Sequence, residues 1–120
     1  MIIKNVIFSG GGLKGWGYIG TIRALNEVVP FEGIEQIIGV SIGAVFGLCY
    51  LLRIPPDELL DFAMNIDFPE VIDIDIDNII TNQSLLLGER FTLKIKELIS
   101  HRIDPDITFI ELKKYSKILC

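Results

Sequence analysis

The chain has 120 residues, half of them hydrophobic, and a formal net charge of −5. That length predicts one domain, residues 1–120, and the apolar share excludes a disordered chain. The acidic balance, with no run of Lys or Arg, lacks the footprint of a nucleic-acid binder. Any membrane contact would have to rest on apolar surface or a local patch. Cys49, Cys120 and the single His101 are too few to complete a four-ligand zinc site. Cys49 lies in an apolar run and reads as a buried free thiol in a reducing compartment.

In chain order, "IIKNVIF" (residues 2–8) is a short β-branched run that stops at "SGGG", the pattern of a buried strand. Lys4 and Asn5 interrupt this apolar start, so it does not read as a signal peptide. From Gly15 to about Val29, Trp16, Ile19, Ile22, Leu25 and Val28 recur every third position, which predicts a helix with these residues on its inner face, closed by Pro30. "IEQIIGV" predicts a second strand ending at Ser41. Ile42 to about Leu52 is apolar on nearly all sides, so its helix should be buried. The uncharged run Ile37–Leu52 falls short of a membrane span of about 20 residues and is broken by Gly39, Ser41, Gly43 and Gly47. "PPDELLDFAM" predicts another helix, with its prolines at the start where they are tolerated.

Beyond Asn65 the signal weakens. "VIDIDIDNII" alternates apolar and acidic residues, as a half-exposed strand or an extended loop would. Gly88 to Ile99 is amphipathic and helical. Thr108 and Glu111 form a capping box that opens a short helix, and "YSKILC" resembles the start of a further strand. Strand, glycine turn, helix, repeated twice, is the rhythm of a three-layer α/β domain with a parallel sheet.

Two glycine turns carry the chemistry. The first, Gly10-Gly11-Gly12-Leu13-Lys14-Gly15, fits G-x-G-x-x-G between a strand and a helix. A dinucleotide site would need an acidic residue at the end of the second strand, but Val40-Ser41 stands there, and Glu32 and Glu35 precede that strand. A phosphate-binding Walker loop needs Lys after its last glycine, where this chain has Trp16. What remains is a turn whose free amides and helix dipole favour negative charge. The second turn, Gly39-Val40-Ser41-Ile42-Gly43, has the form of a nucleophile elbow, a serine on a sharp strand-to-helix bend between glycines. Taken alone, Ser41 serves equally well as a helix N-cap and the first turn as a tight connection. Together they say more. If the two strands are neighbours, both turns lie at the carboxyl ends of a parallel sheet, and an oxyanion formed at Ser41 would face the amides of Gly10–Gly12.

"FSGGGLKGWGYIGTIRAL" followed by "IIGVSIGAVFGL" closely resembles the opening of the patatin-like phospholipases, and "GERF…LKIKELI" and "TFIELKKYSKIL" are similar to later parts of the same domain. The resemblance implies an α/β fold with a central, mostly parallel sheet related to the α/β-hydrolases. It implies lipid acyl hydrolysis by a Ser–Asp dyad without histidine, metal or organic cofactor. Ser41 is then the nucleophile and Gly10, Gly11 and Gly12 the oxyanion turn, with Lys14, Gly15, Gly39 and Gly43 completing the two motifs. The implied partner is a phospholipid or other lipid ester, met in transient contact at a membrane surface by a cytoplasmic protein. The family's base is an Asp followed by glycine. This sequence contains no Asp-Gly, so the 120 residues are expected to be the N-terminal portion of such a domain, incomplete at its C-terminus and inactive alone. Two other functions are weighed against this one: a non-catalytic lipid-binding remnant of the family, and a nucleotide-binding α/β module using Gly10–Gly15.

The remaining candidates read as structural. His101 ends an amphipathic helix, where the dipole favours it. Asp73, Asp75 and Asp77 would need Gly at Asn78 and Glu at Ser84 to form a calcium loop, and they read as solvated carboxylates. Asp104 and Asp106 flank Pro105 as turn residues. Lys14, a cation at a helix start, leans towards contact with an anionic headgroup or carboxylate product. Trp16 reads as core.

Overall fold

The computed structural model describes residues 2–67 and 89–114 of the chain. β1 (Asn5–Phe8) and β2 (Gln36–Gly39) pair in parallel, with Asn5 opposite Gln36 and Phe8 opposite Gly39. Residues paired in this register share a face, because side chains alternate along each strand. Val6, Phe8 and Ile37 are buried on one face, whereas Ile7 on the other is 66% exposed. The buried face meets α2 (Ile42–Leu51), which packs so closely that a Cβ on Gly47 would stand 3.3 Å from Ile37 and 3.5 Å from Phe8. The α/β class and the parallel sheet are therefore as expected, with two strands among the described residues.

The connection between the strands begins with a 3₁₀ segment over Gly12–Gly17, and α1 runs from Tyr18 to Val28. The sequence pattern placed the helix start at Gly15. Gly15 and Gly17 are poor α-formers, and the tighter turn holds the Gly15 backbone against Ile42. The inner face also needs correction at its end. Ile19 and Ile22 are buried, but Val28 is 71% exposed and Val29 is buried instead. A strict spacing of three falls about 60° short of a full helical turn at each step, so the stripe walks off the inner face by its fourth interval.

α2 is apolar throughout and buried as expected. It ends in a Schellman motif: the Ile54 amide donates to the Cys49 carbonyl at 3.0 Å and the Arg53 amide to Tyr50 at 3.0 Å, with Arg53 in the left-handed region. The Arg53 guanidinium lies 4.9 Å over the Phe31 ring. α3 (Pro56–Met64) starts on its prolines, and α4 (Glu89–Ser100) buries Phe91, Leu98 and Ile99. α5 (Phe109–Leu112) opens on the expected capping box. The expectations for "VIDIDIDNII", with Asp73, Asp75 and Asp77, and for "YSKILC" lie outside the described residues. Among the described residues no helix is long and apolar enough to cross a membrane.

Candidate active site

Because β1 and β2 are parallel neighbours, both glycine turns leave the sheet from the same end. The Val40 amide donates to the Phe8 carbonyl at 3.0 Å, so the ladder continues to the residue before Ser41. A Cβ built on Gly10 would sit 3.6 Å from the Val40 carbonyl oxygen and 3.7 Å from Ser41 Cβ. The two bends thus lie side by side, with room between them for no more than a small side chain on Gly10. Gly10, Gly11, Gly12 and Ser41 are all exposed to solvent, as is Lys14.

Ser41 has φ 55° and ψ −127°, the angles of the first central residue of a type II′ turn. The Gly43 amide closes that turn on the Val40 carbonyl at 2.9 Å. Glycine normally takes such a position, and a side chain held there stores strain of about 1–3 kcal/mol. Although Ser41 stands at the N-cap position of α2, its side chain makes no capping bond. The N-cap reading therefore lacks the interaction that defines it.

The flanking glycines are fixed by packing. A Cβ on Gly43 would lie 2.2 Å from the Phe8 carbonyl oxygen, one on Gly39 2.4 Å from Ala44 Cα, and one on Gly15 2.7 Å from two carbons of Ile42. Helix α2 is pressed backbone to backbone onto the end of β1, and the glycine turn onto the first residue of α2. Within the first turn, Gly12 alone has a positive φ, 53°.

Two residues outside the motifs hold the glycine turn. The Tyr18 hydroxyl donates to the Ser9 carbonyl at 2.9 Å, which leaves the Ser9 hydroxyl to donate to the Tyr18 oxygen at 2.8 Å. The Tyr18 ring stands edge-on to Phe8, centroids 5.1 Å apart. Tyr18 sits between apolar positions of the spacing pattern, and only the 3₁₀ turn brings it back to Ser9, so linear order gave no signal for the pair.

The other titratable candidates lie elsewhere. Cys49 is buried, and burial pushes its thiol up to about 12, so it stays protonated and unreactive at neutral pH. His101 is exposed in the turn after α4, next in sequence to Arg102. The Arg102 guanidinium donates two hydrogen bonds to Glu58, at 2.9 and 2.7 Å, and holds that carboxyl below its ordinary range, with His101 adding a weaker pull. Glu35 pairs with Lys4 at 2.7 Å, at the strand ends opposite the glycine turns, and Glu32 pairs with Arg53 at 3.5 Å. Neither acid stands where a ribose contact would need it. The Asp106 amide donates to Asp104 at 2.9 Å, confirming the turn, and Asp106 also pairs with Lys96. Among the described residues no three His, Cys, Asp or Glu side chains are grouped to hold a metal ion.

A strained, solvent-exposed serine on a strand-to-helix bend stands beside a glycine turn at the carboxyl end of a parallel sheet, where α/β domains bind their ligands. Comparison with known proteins gives the family: the model of the patatin-like phospholipases matches residues 6–114, and the chain belongs to that family. A patatin-like phospholipase domain-containing protein of Caenorhabditis elegans is 30% identical over 101 residues, covering 80% of this chain and 9% of its own length. An uncharacterized protein of Acanthamoeba polyphaga mimivirus is 31% identical over 72 residues, covering 58% of this chain and 24% of its own length. The chain therefore spans less than a quarter of either relative. No solved structure matches it significantly.

Proposed function

We propose that this chain carries the nucleophile and oxyanion half of a lipid acyl hydrolase, as the N-terminal portion of a patatin-like domain. Ser41 Oγ attacks the carbonyl carbon of a lipid ester, and the alcohol departs to leave an acyl-serine that water then hydrolyses. The negative charge born on the carbonyl oxygen in each step is met by the free amides of Gly10–Gly12 and the positive end of the following helix. Lys14, exposed beside that turn, attracts an anionic headgroup or the carboxylate product. The observation that carries the reading is the close approach of the Gly10 turn to the strained Ser41 bend.

The proton on Ser41 needs a base. With no Asp-Gly in the sequence, the chain alone hydrolyses esters slowly or not at all, because an oxyanion site without a dyad leaves only a residual rate. Binding is at the membrane surface, from the cytoplasmic side, chiefly through apolar contacts, with Lys14 as a local cationic one.

A fluorophosphonate probe tests this directly. Slow labelling at Ser41, lost in Ser41→Ala, is the expected result. Absence of labelling, together with thermal stabilisation by a nucleotide, would replace this reading with a nucleotide-binding one.

A further inference from the structure

The glycine turn carries an uncovered hydrocarbon side chain of its own. Leu13, between Gly12 and Lys14, is 61% exposed. It stands three residues before Trp16 in the 3₁₀ segment Gly12–Gly17, and at that spacing side chains eclipse, so the two share a side. The Trp16 ring lies 6.4 Å from Phe62 of α3 and borders the same surface depression as Leu60 and Met64. Leu60 is 45% exposed and Met64 78%. A track of uncovered apolar side chains therefore runs from the glycine turn onto α3. Single exposed apolar residues need no explanation, but a contiguous run of them marks an interaction surface.

The charges bordering the track say what it meets. Lys14 is exposed beside Leu13, and Asp61 is exposed next to Met64 on the surface of α3. Farther along, Arg23 and Asp57 pair at 2.6 Å. Two cations and two anions thus border the track, which is neutral on a chain whose net charge is −5. An anionic lipid layer, or a protein face of one sign, finds no complement there. A zwitterionic lipid surface does, because its headgroups carry both signs and the layer beneath them accepts hydrocarbon.

We infer that Leu13, Trp16, Leu60 and Met64 form the surface on which this chain seats against a zwitterionic lipid layer. The inference rests on the lipid-ester reading above and adds the face that meets the layer. Leu13 belongs to the turn whose amides that reading assigns to the oxyanion. Seating Leu13 at the boundary between headgroups and acyl chains carries the turn towards the depth of the ester carbonyls.

The test mixes the purified chain with phosphatidylcholine vesicles and measures cosedimentation, together with the emission of Trp16, the sole tryptophan. Binding with a blue shift is expected. Because the track is neutral, affinity should change less than about twofold between about 0.1 and about 0.5 M salt. Leu13→Glu and Met64→Glu, both at exposed positions, should each weaken binding about tenfold or more, the factor carried by partial burial of one such side chain. Val28→Glu, at a position 71% exposed at the far end of α1, should leave it unchanged. The inference is overturned if the chain does not sediment with the vesicles, or if Val28→Glu weakens binding as much as Met64→Glu does. Binding that requires anionic lipid and disappears in salt overturns it too, as does a dimer that Met64→Glu splits and that binds no vesicle. Seating does not use the Ser41 hydroxyl, so Ser41→Ala should bind as the wild type does. If Ser41 escapes a fluorophosphonate while the vesicle pattern holds, the nucleophile reading fails and the surface stands. Labelling of Ser41 without vesicle binding leaves that reading in place and removes the surface.

Discussion

The α-carbon of Gly43 faces the carbonyl of Phe8 so closely that a Cβ added to it would lie 2.2 Å from that oxygen. Both partners are backbone, so neither has a rotamer with which to yield. Gly43→Ala must lift the start of α2 off the end of β1, and that shift moves Ser41 with it. The expected cost is about 3 kcal/mol or more, with a fall in Tm of about 10 °C or more. A melt by circular dichroism checks it; a Tm within two degrees of wild type would mean that the bend is looser than described.

Ser41 gives a prediction of opposite sign. Its φ of 55° and ψ of −127° suit glycine, and its side chain caps nothing. Ser41→Gly should therefore stabilise the fold by about 1 kcal/mol, even though it removes the proposed nucleophile. Ser41→Ala keeps the strained backbone and should change stability by less than about 0.5 kcal/mol. A serine acting as N-cap would behave differently, losing about 1 kcal/mol on change to alanine. Chemical denaturation of the three proteins separates the two roles without any assay of activity.

Much of this was legible in the linear order because it depends on short-range rules. The order strand, glycine turn, helix follows from β-branched runs, glycine clusters and 3.6-residue spacing, and it puts Ser41 and Gly10–Gly12 on bends. Whether the bends meet depends on strand pairing, which the pattern left conditional and the register of Phe8 with Gly39 supplied. Val28 and Val29 exchanged places because the apolar spacing was three while the helical period is 3.6. The Ser9–Tyr18 contact is invisible for a different reason. It depends on how the 3₁₀ segment sets the direction of α1, which the spacing pattern does not encode.

That Ser9–Tyr18 contact can be tested alone. Tyr18→Phe keeps the edge-on packing against Phe8 and removes the hydroxyl that joins Ser9 twice. The loss should be about 1 kcal/mol of stability. Because those bonds hold the residue before Gly10, labelling of Ser41 by a fluorophosphonate should slow as well, about tenfold if the proposed oxyanion amides lose their alignment. An unchanged labelling rate beside the lowered stability would limit Tyr18 to a structural role.

The last prediction concerns pH. Arg102, in the turn after α4, grips Glu58 on α3 with two hydrogen bonds, at side-chain exposures of 26% and 37%. Those bonds lower the Glu58 pKa in the folded chain, so the folded state favours the carboxylate more strongly than the unfolded chain does. Stability from the pair is thus fully present above the unfolded glutamate value, near 4.3, and is lost as pH falls through the lower folded value. At these exposures solvent screening holds the contribution to about 1 kcal/mol. Glu58→Gln should lower stability by that amount at pH 7 and by progressively less as the solution is acidified below about 4, where the wild type loses the same interaction. Urea midpoints measured at pH 7 and pH 3 give the comparison. A difference that stays constant between them would show that the two bonds do not depend on the charge of Glu58, and the clamp between α3 and the turn after α4 would then be one of packing alone.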